Sequence, residues 1–200
     1  RDLAAMEHHI VELEKIGVPR PKHTPMFYRV GARRITTADR IEAVGGDSSG
    51  EAEFVIVNAH GQLWIGVGSD HTDRKVETYG ITVSKQMCDK PVAPQLWPLS
   101  EVEPHWDRLQ LHSEVKIDGR SSIYQDGAVA SMRSPRELIS LFERDYGPFG
   151  DGSLMFCGTL AAIGGIRPAE RFEFALVDPV FERRIGHAYD VAILPIVEAE

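Results

Sequence analysis

Two glutamates, Glu51 and Glu53, lead the apolar run Phe54-Val-Ile-Val57. If that run is a strand, side chains alternate across it and both carboxylates share one face. Like charges held that close repel, so either solvent or a cation must offset them. The spacing alone fits a solvated strand edge or a site for a hard metal ion. A second acidic cluster, Ser69-Asp-His-Thr-Asp-Arg74, follows a run flanked by Gly66 and Gly68. It lies across the turn-like Asn58-Ala-His-Gly61 from the first, and a hairpin there would bring Asp70 to Glu51 and Glu53. Carboxylates converging from neighbouring strands suit Mg²⁺ or Mn²⁺, which prefer oxygen ligands. His71 keeps a zinc reading open beside the alternative of a hydrogen-bonded structural imidazole.

His9 and Glu12 are three apart on a helical run and are therefore surface neighbours. A carboxylate beside an imidazole orients it and raises its basicity, as a general base requires, although such pairs also decorate solvated helices. Lys85, at the end of the run 81–84, reads from spacing alone as a surface lysine. Gly46-Asp-Ser-Ser-Gly50 matches the G-x-S-x-G form of serine hydrolases. That elbow needs a helix after the serine, whereas residues 51–57 alternate like a strand, so no serine nucleophile is expected. Gly66-Val-Gly68 is too short for a dinucleotide loop and opens no helix. Cys157 has no positive sequence neighbour to hold a thiolate, and both it and Cys88 read as buried or half-buried thiols.

The framework that must position these groups is built of short strands. Residues 3–16 read as a helix, with Leu3, Met6, Ile10 and Leu13 at helical spacing and Gly17 and Pro19 ending it. Pro19, Pro21 and Pro25 stiffen the connector that follows, so residues 1–25 form a helix and arm suited to a lid. Strands are expected over 26–30, 40–44, 51–57, 63–67, 79–83, 109–117, 154–157, 172–177, 181–185 and 189–197. A second helix is expected over 135–146, where Pro135 suits the first helical position. The class is mainly β or α+β.

Two hundred residues and 22.3 kDa suit one domain. A hydrophobic content of 42% supports a core without disulfides or a structural metal. Lysine and arginine total 22 against 30 acidic residues, a net charge of −8 without a basic block, which argues against a nucleic-acid binder. No apolar run approaches the ~20 residues of a membrane span, and charges interrupt any signal-peptide core near the N-terminus. Two cysteines are too few for a disulfide framework, and a reduced, cytoplasmic setting is expected.

Several motifs follow one another in a fixed order: Pro25-Met-Phe-Tyr28, Glu51-Ala-Glu53, Asp70 with Arg74, and Lys85 before a proline-rich loop. Gln125-Asp-Gly127 through Met132 comes next, then Cys157-Gly-Thr159 with Gly164 and Arg167-Pro168. The ordered set resembles the fumarylacetoacetate hydrolase-like superfamily, in particular its short members, over almost the whole chain. The resemblance implies a β-roll of twisted strands, assembled as a homodimer, with Mg²⁺ or Mn²⁺ held by Glu51, Glu53 and Asp70. It makes Lys85 the group that stabilises negative charge near the substrate. Thr159, with Gly158 beside it, would hold the substrate carboxylate, and Arg74, Arg133 and Arg167 are candidates for a second one. His9 and Glu12 match the family's water-activating His-x-x-Glu pair. Cys157 and Val129 stand where relatives often carry threonine, departures that touch the substrate pocket more than the cation.

The activity so implied is metal-dependent hydrolysis of a carbon–carbon bond in a small 2,4-dioxo, acylpyruvate-like acid through a metal-bound enolate. Decarboxylation, isomerisation or hydration of a related 2-oxo acid on the same metal is the alternative. A non-catalytic metal- or ligand-binding domain on the same scaffold is a further one.

Overall fold

The computed structural model describes residues 24–197 together with Glu7, Ile10, Val11, Glu14, Lys15 and Gly17. Of the helix expected over 3–16, Glu7, Ile10, Val11, Glu14 and Lys15 are helical and Ile10 is buried. His9 and Glu12 lie outside the described residues.

In chain order the first strands are β1 (Ile35–Thr36), β2 (Arg40–Val44), β3 (Ser48–Ser49), β4 (Ala52–Ala59), β5 (Gln62–Ser69) and β6 (Thr72–Asp73). Two short helices, Arg74–Glu77 and Ile81–Met87, precede β7 (Lys90–Pro91) and β8 (Trp97–Pro98). Then come β9 (Gln110–Ile117), β10 (Arg120–Ala128), the helix Pro135–Tyr146, β11 (Ser153–Thr159), β12 (Arg171–Asp178) and β13 (Arg183–Leu194). One sheet runs β11-β4-β5-β8 and the other β10-β9-β12-β13-β2, mixed because β13 and β2 are parallel. Two small ladders, β1 with β7 and β3 with β6, complete the strand-rich class expected from the sequence.

Alternation explains how the sheets share a core. On β4, Ala52, Phe54 and Ile56 join Ile65 and Val67 of β5 in one apolar cluster with Leu111, Val115, Phe172, Phe174 and Leu176 of the second sheet. Fully buried side chains such as Phe54 and Leu111 each contribute about 2 kcal/mol relative to exposure. Glu53 and Val55 take the other β4 face, with Glu51 just before the strand. Gly68 lets β7 cross that region closely, since a Cβ there would sit 2.8 Å from Phe156 and 2.9 Å from the Pro91 carbonyl.

The turn is as expected: β4 and β5 pair from Ala59↔Gln62 to Ala52↔Ser69 across His60 and Gly61. Both turn residues have positive φ, 56° and 70°, as a two-residue hairpin matching the strand twist requires. The helix Pro135–Tyr146 also forms over the expected span, buries Leu138, and ends at Gly147 with φ 83°.

Three strand expectations are corrected. Residues 79–83, with Lys85 placed at the strand end, fall in and before the helix Ile81–Met87. The run pairs with no strand, and its β-branched residues yield to tertiary context. Residues 26–30 belong to no ladder. The runs expected over 181–185 and 189–197 meet in a single strand, β13 (Arg183–Leu194), continuous through Gly186, with 181–182 and 195–197 outside it. That glycine marks close backbone approach, not a turn: a Cβ would meet the Phe174 carbonyl at 3.0 Å. β10 carries no alternation because its first residues, Arg120 to Ile123, are exposed at a sheet edge.

Candidate metal centre

Glu51, Glu53 and Asp70 meet because of the β4–β5 register. Ala52 pairs with Ser69, so Glu51 and Asp70 are the next residues outward, and the Asp70 N–H donates to the Glu51 carbonyl at 2.9 Å. Glu53 pairs with Gly68. Carboxylate oxygens from Glu51, Glu53 and Asp70 lie within 4.8 Å of one another, and all three residues are buried.

Cations press on this cluster from the following segments. Lys85, on the helix Ile81–Met87, pairs with Asp70 Oδ2. Lys90, 1% exposed, lies 2.9 Å from Asp70 Oδ1 and donates to the His71 carbonyl. Arg74 begins the short helix that Asp73 caps by accepting from the Val76 N–H at 2.8 Å. Its guanidinium donates to Glu77 at 2.9 Å and to Ser49 Oγ at 2.7 Å. Its Nη2 is 3.3 Å from Glu51, near enough for an ion pair but not aligned as a hydrogen bond.

These contacts set the charges unevenly. Burial alone would raise the Asp70 pKa, but Lys85 and Lys90 outweigh it and hold the carboxyl well below its ordinary value. Burial would likewise lower Lys85, yet the carboxylates of Asp70, Glu51 and Glu53 raise it, so the ammonium stays charged. Glu53 is the exception: burial, then the charges of Asp70 and Glu51, push its carboxyl up to about 8. Among the described residues it has no ion pair, and its hydrogen-bond donor is the Gly158 N–H.

A buried cluster of oxygen donors with one under-compensated carboxylate fits a hard divalent cation, Mg²⁺ or Mn²⁺. The zinc reading through His71 is not supported. Its Nδ1 and Nε2 are each 2.9 Å from a hydroxyl, those of Tyr189 and Ser48, and burial, aided by Lys90 and Arg74, lowers its pKa to about 3. It is a neutral imidazole with both nitrogens engaged.

β11 brings Gly158 and Thr159 to the other side. Gly158 has φ 89°, a conformation side chains disfavour, and its N–H donates to Glu53 Oε2 at 2.7 Å. Thr159 Oγ1 donates to the Ala52 carbonyl at 2.7 Å. Gln125 joins the two segments from β10. Its Oε1 accepts from the Ala52 N–H and Ser113 Oγ, each at 2.9 Å, while its Nε2 donates to the Leu160 carbonyl at 2.7 Å and to Thr159 Oγ1. All four amide positions are filled, which braces the strand between Glu51 and Glu53 against the 158–160 segment.

A cleft of about 440 Å³ opens onto Glu53, Asp70, Lys85, Lys90 and Gly158. Arg74 and Thr159 do not line it: Arg74 is held by Glu51, Glu77 and Ser49, and Thr159 by Ala52 and Gln125. Both cysteines are buried, and burial raises the Cys88 thiol to about 11 and the Cys157 thiol well above its ordinary value. Sequence reasoning did not find Lys90. The available signal was a lysine between the helix and Pro91-Val-Ala93, a charge at the start of an apolar stretch. Gln125 stands in the sequence as part of Gln125-Asp-Gly127, and its bracing contacts join segments that no local spacing brings together.

No curated protein matches the sequence. Solved structures similar to the chain include Cg1458, at 15% identity and a TM-score of 0.59 over 79% of this chain and 64% of that one. A 2-keto-3-deoxy-D-arabinonate dehydratase complexed with magnesium and 2,5-dioxopentanoate is 16% identical, with a TM-score of 0.62 over 85% of this chain. Its apo form reaches 0.64 at 16% identity over 90% of this chain and 66% of that one. The chain spans 64% and 63% of the lengths of Cg1458 and the magnesium-bound dehydratase, and at these identities the likeness is one of fold. The family model described as "Protein of unknown function (DUF2848)" matches residues 1–189, and the chain belongs to that family.

Proposed function

We propose that the chain is a divalent-metal-dependent enzyme that hydrolyses a carbon–carbon bond in a small 2,4-dioxo carboxylic acid. The observation that carries this reading is the buried cluster of Glu51, Glu53 and Asp70, with Lys85 on Asp70, at the cleft. The likeness in fold to a dehydratase complexed with magnesium and a dioxo acid supports the cation and the substrate class. Glu51, Glu53 and Asp70 would hold Mg²⁺ or Mn²⁺, which would supply Lewis-acid polarisation of a substrate 2-oxo group.

Lys85 donates to the oxygen on which negative charge develops. A fixed cation at that place is usually the largest catalytic contribution. Gly158 keeps Glu53 aimed through its N–H, and Gln125 holds the strand between the ligands. His9, oriented by Glu12, takes a proton from the water that attacks the 4-carbonyl; this pair rests on the sequence resemblance. The C3–C4 bond then breaks, its electron pair forms the enolate of the 2-oxo acid, and protonation at C3 completes that product. The acyl half leaves as a carboxylic acid. The resemblance also carries a homodimer, which light scattering would test.

A second reading draws on the dehydratase likeness itself: loss of a C3 proton and an adjacent hydroxyl from a 2-oxo-3-deoxy acid, with Lys85 in the same role. The deciding assay follows the enol absorbance of several 2,4-dioxo acids with Mn²⁺ or Mg²⁺ and then EDTA. Loss that stops on adding EDTA supports hydrolysis. No loss with any acid at saturating metal removes it and moves 2-oxo-3-deoxy acids to the front. His9→Ala is expected to abolish cleavage, and wild-type turnover by that variant would refute the base assignment.

A further inference from the structure

Resting on the oxo-acid reading, we propose that the substrate carries an apolar group at its far end, an alkyl chain or an aromatic ring, and not a second carboxylate. The cleft has two chemically different parts. Glu53, Asp70, Lys85 and Lys90 make the charged part. Phe27, Phe142, Phe149 and Met155 make the other. The rings of Phe27 and Phe142 meet edge to face at 5.4 Å, and those of Phe142 and Phe149 at 6.0 Å. Phe149 and Met155 are buried, so this wall is fixed by packing.

The two parts join along one stretch of chain. Tyr28 lies within electrostatic reach of Lys85, while the preceding residue, Phe27, packs on Phe142 and Tyr146. A ligand bound at the carboxylates and extended along the cleft therefore runs from Lys85 toward rings. The cleft, about 440 Å³, is far larger than a bare three-carbon oxo acid needs.

Charge placement points the same way. Lys85 and Lys90 are both engaged with Asp70 at the charged part. Arg29 also lines the cleft but is exposed, so solvent screens it. A carboxylate pressed against the rings would lose its hydration without a buried partner. An alkyl or aryl group would instead gain about fourfold in affinity per buried methylene.

The test is calorimetric binding of N-substituted oxamates to the Mn²⁺-loaded protein, since these present a 2-oxo carboxylate head and contain no carbon–carbon bond of the cleaved type. N-butyl and N-phenyl oxamate are expected to bind at least about tenfold more tightly than N-methyl oxamate. N-(2-carboxyethyl) oxamate is expected to bind more weakly than any of them. Phe27→Ala should shrink the preference of N-butyl and N-phenyl oxamate over N-methyl oxamate; the wild-type series decides the matter should that variant not fold. Equal affinities across the series, or tightest binding by the carboxyethyl compound, would overturn the inference and leave the oxo-acid reading standing. No binding by any oxamate, with Mn²⁺ shown to bind, would overturn both.

Discussion

The backbone N–H of Gly158 donates to Glu53 Oε2 at 2.7 Å across 105 residues of sequence. It ties the sheet edge at β11 to the one carboxylate of the cluster that lacks an ion pair among the described residues. Asp70 has two ammonium groups and Glu51 has Arg74. Glu53 is thus the carboxylate of the cluster whose charge depends most on what else enters the site.

Metal removal should expose that dependence. The Glu53 pKa rises from 4.5 to about 8 in the folded metal-free chain, so the native state binds the proton more tightly than the unfolded one. Its contribution to stability is complete below about 4.5 and is lost as pH rises through about 8. In EDTA, melting temperature is therefore expected to fall between about pH 5 and 8 on account of Glu53. Asp70, with a lowered pKa, acts in the opposite sense and only below its ordinary 3.8. Mn²⁺ should raise the melting temperature more at the alkaline end, where its ligand needs no proton displaced. Glu53→Gln should flatten the slope and abolish the Mn²⁺ shift; an unchanged slope would show that another group is responsible.

Lys85 tests the chemistry apart from the fold. Lys85→Met is expected to lower kcat by about 10²–10³ with little change in KM, as for loss of one preorganised donor to developing charge. Steady-state kinetics on whichever oxo acid turns over would measure it. A rise in KM alone would reassign Lys85 to ground-state binding.

Gln125 offers a test of bracing. Gln125→Glu keeps an acceptor for the Ala52 N–H but removes the donors to Thr159 and Leu160, and it buries an unpaired charge. A loss of about 3 kcal/mol in denaturant unfolding is expected, together with weaker Mn²⁺ binding. Wild-type stability would mean that water or a shifted backbone replaces those contacts.

Neither thiol should react in the native protein near neutral pH. Burial raises Cys88 to about 11 and Cys157 further, so both are protonated and shielded. Ellman's reagent is expected to label both cysteines only after denaturation, and rapid native labelling of either would contradict the burial.

The carboxylate cluster could be read from the chain because it is local. A two-residue period and a turn at His60-Gly61 are short-range properties, and together they suffice to bring Glu51, Glu53 and Asp70 to one place. Gln125 reaches Ala52 from 73 residues away, a pairing that no periodicity encodes. Lys85 shows the boundary between the two cases: motif order singles out the residue, while its setting on the helix Ile81–Met87, paired with Asp70, is decided by tertiary packing.

Residue types and local spacing thus set the strand-rich class, the hairpin and the acidic triad, because backbone alternation acts over a few residues. Folding decided which charges were paired, left Glu53 to Gly158, and gathered Phe27, Phe142 and Phe149 along one cleft. Burial, electrostatic coupling and ring packing depend on distances between remote segments, and those distances exist only once the sheets have closed on each other.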